Sequence, residues 1–329
     1  MYNVAVVGAT GMVGRKMLEI LEEYNFPVKS LSLFASARSA GEKVNWKNKD
    51  YTVETLNENS FDRPLDFAFF SAGGEISTTF APIAEANGVI VIDNSSAWRM
   101  DPRIALIVPE VNFADLDLDK AKIIANPNCS TIQSVLPLKA LAEKFTLKRV
   151  AYTTYQAVSG SGQKGIEDLK NGEQGVAPTN YFHQIYNNCF PHIDSFLEDG
   201  YTKEEQKMID ETKKILTLPD LPVTATCVRI PVLNGHSVAI NVTLEQEPTI
   251  EELQEILGNF DGICLEDTPS ANQYPMPLKA NGTDLVWVGR IRKDQSLPNT
   301  YHIWSVADNI RKGAASNAVQ IACRIIQNQ

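Results

Sequence analysis

Short apolar runs and helical patterns alternate along the first third of the chain. The run Tyr2–Val7 ends in a glycine-rich turn, after which Met17 and Leu21 recur at helical spacing. Further strand-like runs lie at Leu31–Ala35, Asp66–Ser71, Val89–Asp93 and Lys122–Ala125, with helical patterns such as Thr78–Asn87 between several of them. Strands alternating with helices predict an α/β fold with a doubly wound, mainly parallel sheet of Rossmann type, in which ligands bind beyond the carboxyl ends of the strands.

The second half has longer strand patterns and a different order of elements. Strand-like runs lie at Arg149–Ala157, Val223–Val232, Ser237–Leu244, Leu285–Lys293 and Thr300–Val306, and helical patterns at Ser130–Phe145, Gln163–Asn171, Lys203–Leu216 and Ile250–Leu257. This order predicts an α+β domain with a mixed or antiparallel sheet. We therefore expect a first domain over 1–128, a second over 129–309, and a C-terminal helix over 310–329 that packs back on the first domain.

Composition and charge exclude several classes of function. The chain of 329 residues has 30 Lys and Arg against 40 Asp and Glu, and a net charge of −10 argues against nucleic-acid binding. No apolar run approaches the roughly 20 residues of a membrane span, and we expect neither a membrane anchor nor a signal peptide. The five cysteines lack CxxC spacing, so we expect reduced thiols, no metal site and a cytoplasmic location.

The glycine turn after the first strand is a candidate nucleotide site. Gly8, Gly11 and Gly14 depart from the usual GxGxxG spacing, but they lie between a strand and the helix that follows it. There the free N–H groups of the helix can hold a pyrophosphate. The alternative is a tight turn without a ligand.

The end of the second strand bears on which cofactor binds. An NAD site usually carries a carboxylate there, which binds the ribose hydroxyl. This strand instead ends in Ser36, Arg38 and Ser39, with no carboxylate before Glu42. A cation with two hydroxyls favours the 2′-phosphate of NADP, and the alternative is that Arg38 is a solvated loop residue.

Cys129 is the most informative candidate nucleophile. It follows a strand and precedes a helical pattern, and Asn128 is of a helix-capping type. A thiol at a helix N-terminus is favoured as the nucleophilic thiolate. Together with a nicotinamide cofactor, this thiolate could pass an acyl group through a thioester. The alternative is a structural cysteine, which is how we interpret the other four.

Several blocks of sequence stand in a characteristic order. They are Gly8–Gly14, Ser36–Ser39, Phe70–Gly74, Asp93–Arg99, Val108–Asn112, Asn126–Thr131, Tyr155–Gly160, Arg229–Val232 with Gly235-His236, and Asp308–Gly313. In this order, and from end to end, the chain resembles the bacterial aspartate-β-semialdehyde dehydrogenases. The blocks around Cys129, Gln156 and His236 are together the most specific.

The resemblance implies a reaction and its catalytic residues. In that family NADPH reduces L-aspartyl-4-phosphate to aspartate 4-semialdehyde and phosphate, on the route to lysine (through diaminopimelate), threonine and methionine. Cys129 matches the nucleophile and His236 the acid/base residue, for which an imidazole titrating near pH 6.5 is suited. Gln156 matches a residue that orients the substrate and could bind the developing oxyanion.

The resemblance also assigns the substrate ligands. Arg99 and Lys207 match phosphate ligands, and Arg229 matches the ligand of the substrate carboxylate. Glu204 matches an acid that pairs with the α-ammonium group, and Asn128 is a further substrate-binding residue. From the residues alone, Glu204 and Lys207 could equally be an exposed i,i+3 ion pair.

Cofactor contacts and assembly follow from the same resemblance. The expected NADP(H)-binding residues are Gly8, Thr10, Gly11, Met12, Val13, Ser36, Arg38, Ser39, Ser71, Ala72, Gly73, Ser159, Gly160 and Asn309. The family also implies a homodimer whose interface is supplied by the second domain, which is then the catalytic and dimerisation domain.

Two alternatives remain. An N-acetyl-γ-glutamyl-phosphate reductase would share the thioester chemistry, but its substrate has an acylated amine, and Glu204 argues against it. A noncatalytic NADP-binding regulatory protein is the alternative of another class. The presence of the nucleophile, the histidine and both arginines argues against that alternative.

Overall fold

The computed structural model describes residues 1–328, which fall into two compact units. The first comprises Met1–Pro127 and the chain from Ala314 onward, and the second comprises Asn128–Gly313. The strands are β1 (Tyr2–Val7), β2 (Val28–Ala35), β3 (Lys43–Trp46), β4 (Lys49–Thr55), β5 (Phe67–Phe70), β6 (Ile90–Asp93), β7 (Ala105–Leu106), β8 (Ile123–Ala125), β9 (Leu147–Gln156), β10 (Val223–Arg229), β11 (His236–Leu244), β12 (Ile263–Leu265), β13 (Val286–Lys293) and β14 (Thr300–Ala307). The helices are α1 (Met12–Glu23), α2 (Gly74–Ala86), α3 (Pro109–Asn112), α4 (Cys129–Ala142), α5 (Gly162–Glu173), α6 (Lys203–Leu216), α7 (Ile250–Gly258), α8 (Pro277–Ala280) and α9 (Ser316–Gln327).

The first unit is built on a mainly parallel sheet. Its strand order is β3-β4-β2-β1-β5-β6-β8-β7, and the neighbouring strands are parallel except for β3 with β4. Val4 of β1 pairs with Leu31 of β2 on one side and with Phe67 of β5 on the other. Because the chain winds outward from β1 in both directions, the carboxyl end of β1 is where such a sheet opens a ligand crevice. The predicted doubly wound sheet is confirmed.

The core of this unit includes the C-terminal helix. Val4 of β1 and Val319 of α9 are fully buried in one hydrophobic cluster. Burying a side chain of this size stabilises the fold by about 1.5–3 kcal/mol, so α9 is held by its apolar face. A π-helical turn over Arg311–Ala315 precedes α9.

The second unit contains a mixed sheet, as predicted. Its order is β10-β9-β11-β14-β13-β12, in which β10 with β9 and β12 with β13 are parallel and the other pairs antiparallel. Tyr152 and Ile240 are buried on one face, where the Tyr152 hydroxyl lies 3.1 Å from Thr212 Oγ1 of α6. Ala239 and Trp304 alternate with buried neighbours and lie half-buried on the opposite face.

The hairpin of β3 and β4 was not predicted. Its turn residues Lys47 and Asn48 have φ values of +49° and +60°, the left-handed backbone that a two-residue type I′ turn requires. Val44 and Trp46 are buried and alternate with exposed residues. The alternation is therefore present in the sequence, but it spans too few positions to stand out among charged neighbours.

Candidate active site

Cys129 is the first residue of α4, in the second unit. Asn128 caps this helix, since its Oδ1 accepts hydrogen bonds from the N–H groups of Ser130 and Thr131 at 2.9 and 3.2 Å. The cap satisfies two of the free donors and fixes where the helix begins. Cys129 is half-buried at the positive end of the helix, where a thiolate is stabilised.

Two buried carboxylates of α6 hold Asn128 in place. Glu211 Oε2 accepts a hydrogen bond from the Asn128 backbone N–H at 2.6 Å, and Glu204 Oε1 accepts one from Asn128 Nδ2 at 2.8 Å. Glu211 was not among the residues predicted from the sequence. Its signal is the spacing of Glu204, Lys207 and Glu211, which puts all three on one face of α6.

Glu204 connects the cap to two further candidate residues. Its carboxylate accepts hydrogen bonds from Gln156 Nε2 at 3.3 Å and from Lys207 Nζ at 3.2 Å. Burial opposes the charge of Lys207, but Glu204 and Asp194 outweigh burial and raise the pKa of this lysine. The Glu204 side chain is only 7% exposed, so the two residues form no ordinary surface ion pair.

His236 begins β11 and is fully buried. Its Nδ1 accepts a hydrogen bond from the backbone N–H of Ala157 at 3.0 Å, and its Nε2 has no hydrogen-bond partner within residues 1–328. Burial, and after it the charge of Arg229, lowers the pKa of His236 well below its ordinary value of 6.5. The value near 6.5 of an unperturbed imidazole therefore does not describe this buried ring.

Arg229 ends β10, and its guanidinium group lies near His236 Nε2. Arg229 Nη1 donates a hydrogen bond to the carbonyl oxygen of Ala157 at 2.6 Å. A Cβ atom added at Gly160 would lie 3.0 Å from Arg229 Nη1 and 3.2 Å from His236 Nε2. A side chain at position 160 would therefore crowd both groups, and glycine lets the backbone lie close to them.

Two predicted cofactor contacts, Ser159 and Asn309, bind each other. Asn309 Nδ2 donates a hydrogen bond to Ser159 Oγ at 2.9 Å, and Asn309 Oδ1 accepts one from Gly235 N–H at 2.9 Å. Farther along the same segment, Gly313 lies against the nucleophile, because a Cβ atom there would be 2.9 Å from Cys129 Cβ. These contacts fix the loops that follow β9 and β14 and the turn that precedes β11.

The glycine turn of the first unit fits a dinucleotide. Gly8 has a φ of +84°, and a Cβ atom on it would lie 2.4 Å from the carbonyl oxygen of Ser71. A Cβ atom on Gly14 would lie 2.2 Å from the carbonyl oxygen of Gly8. Gly11 precedes α1 and offers no side-chain cap, so the first N–H groups of the helix can bind a phosphate.

The turn after β2 lies beside this glycine turn. Thr10 Oγ1 donates a hydrogen bond to Ser39 Oγ at 3.4 Å, and Arg38 is exposed in the 3-10 turn Ala37–Ser39. The loop Ser71–Gly73 follows β5, the parallel neighbour of β1. The predicted cofactor-binding residues of the first unit therefore share one edge of its sheet.

Arg99 belongs to the first unit and is buried at the carboxyl ends of β6 and β8. Its Nε donates a hydrogen bond to the carbonyl oxygen of Asn126 at 2.9 Å, and its Nη2 donates one to that of Asn94 at 3.1 Å. Burial raises the pKa of Asp93 beside it, against the opposing effects of Ser95 and Arg99. The backbone thus fixes the orientation of the guanidinium group.

Neither a metal-binding cluster nor a membrane-spanning helix is present in residues 1–328. Residues 1–328 contain no group of three or more His, Cys, Asp or Glu side chains that could hold a metal ion. No helix in the part of the chain that the structure describes is long and apolar enough to cross a membrane.

Two family models match this chain. Residues 3–118 match the semialdehyde dehydrogenase NAD binding domain, and residues 138–312 match the semialdehyde dehydrogenase dimerisation domain. The chain is 56% identical to the aspartate-semialdehyde dehydrogenase of Aquifex aeolicus, over 98% of this chain and 97% of that protein. The chain belongs to the aspartate-semialdehyde dehydrogenase family.

Solved structures of aspartate-semialdehyde dehydrogenases have the same fold. Aspartate semialdehyde dehydrogenase II of Vibrio cholerae, complexed with ASA, has a TM-score of 0.93 and 44% identity, over 99% of this chain and 98% of that one. The Candida albicans enzyme, solved with NADP, has a TM-score of 0.77 and 26% identity, over 98% and 97% of the two chains. This aspartate-semialdehyde dehydrogenase family member is thus an oxidoreductase of amino-acid biosynthesis that uses a nicotinamide cofactor.

Proposed function

We propose that this enzyme reduces L-aspartyl-4-phosphate to aspartate 4-semialdehyde and phosphate with NADPH, through a thioester on Cys129. The observation that carries the proposal is a half-buried thiol at a capped helix N-terminus, in a unit that also holds buried Gln156, His236 and Arg229. Family membership supports the reaction, and this step supplies the route to lysine, threonine and methionine.

In the proposed chemistry, the Cys129 thiolate attacks the acyl carbon of the substrate. A carbon–sulfur bond forms and the carbon–oxygen bond to phosphate breaks, which leaves a thioester and inorganic phosphate. The helix N-terminus favours the thiolate, and the resemblance assigns Gln156 to orient the substrate and to bind the developing oxyanion. When bound, the nicotinamide cofactor supplies the hydride that reduces the thioester to the aldehyde level.

NADP(H) is the proposed cofactor. Gly8, Gly11 and Gly14 would hold the pyrophosphate, and the exposed Arg38 with Ser36 would bind the 2′-phosphate. Support comes from the absence of a carboxylate at the end of β2. The other proposed contacts, assigned by resemblance, are Thr10, Met12, Val13, Ser39, Ser71, Ala72, Gly73, Ser159, Gly160 and Asn309.

The two ends of the substrate would be bound by different cations. Arg229 is proposed for the carboxylate, since it lines a cavity together with Ser161 and Asn180. Arg99 and Lys207 are proposed for the phosphate group. Glu204 is proposed for the α-ammonium group, in addition to its bonds within the protein.

We further propose that the enzyme is a homodimer formed through the face of the second sheet that carries Ala239 and Trp304. Ala239 and Trp304 lie half-buried on this face, and the ring centroids of Tyr155 and Trp304 are 5.4 Å apart. An apolar, aromatic face of this kind is typical of an interface between subunits. The match of residues 138–312 to a dimerisation domain supports a second copy as the partner.

A steady-state assay tests the proposed reaction. Purified enzyme should reduce NADP⁺ when aspartate semialdehyde and phosphate are both present. Without phosphate, the reduction of NADP⁺ should stop after the first turnover. N-acetylglutamate semialdehyde serves as the control, and we expect little turnover with it because its amine is acylated. Faster turnover of the acetylated substrate would contradict the proposal.

A further inference from the structure

Asp168 of α5 is a buried carboxylate that the proposed chemistry does not use. Its Oδ1 accepts hydrogen bonds from the backbone N–H of Thr179 at 2.8 Å and from the Thr179 hydroxyl at 3.2 Å. Its Oδ2 accepts hydrogen bonds from the N–H groups of Asn180 at 2.8 Å and Tyr181 at 2.9 Å. Burial alone would raise the pKa of Asp168, but these hydrogen bonds outweigh burial and lower it. The charged carboxylate therefore fixes the backbone of residues 179–181, in the loop between α5 and α6.

Tyr181 is held at both of its ends. Besides the backbone bond to Asp168, its hydroxyl group donates a hydrogen bond to Ser161 Oγ at 2.9 Å. The hydroxyl lies close against α5, because a Cβ atom added at Gly165 would be 2.7 Å from Tyr181 Oη. The ring also packs edge-on against Phe190, with 5.5 Å between the ring centroids. These contacts fix the orientation of the Tyr181 ring.

The guanidinium group of Arg229 lies over this ring. Its Cζ is 6.0 Å from the centroid of Tyr181, within reach of a cation–π attraction. Arg229 Nη1 donates to the carbonyl oxygen of Ala157, whereas Nε has no hydrogen-bond partner within residues 1–328. Tyr181 and Arg229 line the same cavity, of about 600 Å³. The ring thus adds a restraint on the guanidinium group that the bond to Ala157 does not supply, and a fork with a fixed plane can bond both oxygens of a carboxylate.

We propose that Asp168 is a positioning residue for the substrate: it fixes the loop that holds Tyr181, and Tyr181 holds the guanidinium group of Arg229 in the orientation that binds the substrate carboxylate. This inference rests on the proposed function, which assigns Arg229 to that carboxylate. Because Asp168 and Tyr181 act through Arg229, replacing either should weaken the binding of aspartate semialdehyde and leave the binding of phosphate unchanged.

A pair of variants at Tyr181 tests the contact with Arg229. Tyr181→Phe keeps the ring and loses only the hydroxyl group, whereas Tyr181→Leu removes the ring. In the oxidative direction, Tyr181→Leu should raise KM for aspartate semialdehyde by about 5- to 30-fold, as expected for the loss of a cation–π contact to a buried cation. Tyr181→Phe should keep the wild-type KM for the aldehyde, and neither variant should change KM for phosphate. Equal KM values for the aldehyde in Tyr181→Leu and Tyr181→Phe would overturn the proposal.

Asp168→Asn tests whether the carboxylate acts through Tyr181. The amide replaces one acceptor oxygen with a donor, which cannot bind the N–H groups of the loop. We expect the same selective rise in KM for aspartate semialdehyde, and no further rise when Asp168→Asn is combined with Tyr181→Leu, because residues that act as one unit are not additive. Asp66→Asn is the matched control, since Asp66 Oδ2 accepts a backbone N–H from Asn3 at 2.6 Å in the first unit, and it should leave KM for the aldehyde unchanged. If the effects of the two substitutions multiply in the double variant, Asp168 does not act through Tyr181.

The outcomes separate this inference from the proposed function. A raised KM for the aldehyde in Arg229→Leu, together with a wild-type KM in Tyr181→Leu, contradicts this inference alone. Absence of wild-type turnover, or an unchanged KM for the aldehyde in Arg229→Leu, contradicts the proposed function and this inference with it. Circular dichroism and thermal melting show whether each variant is folded, and the Tyr181 pair decides the proposal even if Asp168→Asn does not fold.

Discussion

At the scale of single residues, contacts between distant parts of the chain determine chemistry that residue type alone leaves open. A histidine next to a glycine predicts a titrating imidazole in a loop. The ring of His236 is instead held by a backbone N–H from Ala157, 79 positions away, and burial together with the charge of Arg229 lowers its pKa. Glu211 was missed for a similar reason, since it contacts Asn128 only because α6 packs against α4.

Replacing Arg99 and replacing Arg229 should weaken the binding of different substrates. Arg99→Leu should mainly raise KM for phosphate, and Arg229→Leu should mainly raise KM for aspartate semialdehyde, because each removes the partner of a different anion. An anion left unpaired in a partly dry site costs about 2–5 kcal/mol. Steady-state kinetics in the oxidative direction separates the two effects, because phosphate and aldehyde bind as separate molecules.

Arsenate gives the control for this pair. Because arsenate is a phosphate analogue, Arg99→Leu should raise KM for arsenate as it raises KM for phosphate. Arg229→Leu should change KM for arsenate little. If both folded variants damage the binding of both substrates equally, the assignment of one cation to each end is wrong.

At the scale of elements, the turn after β2 is proposed to set cofactor preference. Arg38→Leu should lower the preference for NADP over NAD, because the 2′-phosphate loses a charged hydrogen-bond donor worth roughly 1.5–3 kcal/mol. The measurement is the ratio of kcat/KM for the two cofactors. Arg63→Leu is the matched control, since Arg63 is an exposed arginine of the same unit that pairs with Glu54. If the ratio of kcat/KM for NADP and NAD is unchanged in Arg38→Leu, another residue determines the preference for NADP.

The sequence predicted the type and order of most elements, and the helix α6 with its observed bounds. In those elements the periodic pattern of apolar residues continues over many positions, so the local sequence is enough to predict them. The strand predicted over Val223–Val232 ends earlier, at Arg229, because Pro231 has no N–H group for a sheet. The short strands β7 and β12 were missed, since two or three residues carry too little pattern and depend on their neighbours in the sheet.

At the scale of the whole molecule, the face of the second sheet that carries Ala239 and Trp304 is proposed to form the dimer interface. Trp304→Glu would place a charge in an apolar interface, so it should shift the protein from dimer to monomer. Sedimentation velocity over a range of concentrations measures this shift. Phe182→Glu is the control, because Phe182 is 88% exposed in the loop between α5 and α6. Dissociation of the Phe182 variant alone would place the interface elsewhere.

The thioester on Cys129 is the central claim, and mass spectrometry of the quenched enzyme tests it most directly. Enzyme mixed with aspartate semialdehyde and NADP⁺, without phosphate, should accumulate an aspartyl thioester because the acceptor of the acyl group is missing. Peptide mapping should find the adduct on Cys129, and Cys129→Ala should carry none while it keeps its fold. An adduct on Cys189, Cys227, Cys264 or Cys323, or NADP⁺ reduction by Cys129→Ala at the wild-type rate, would contradict the account.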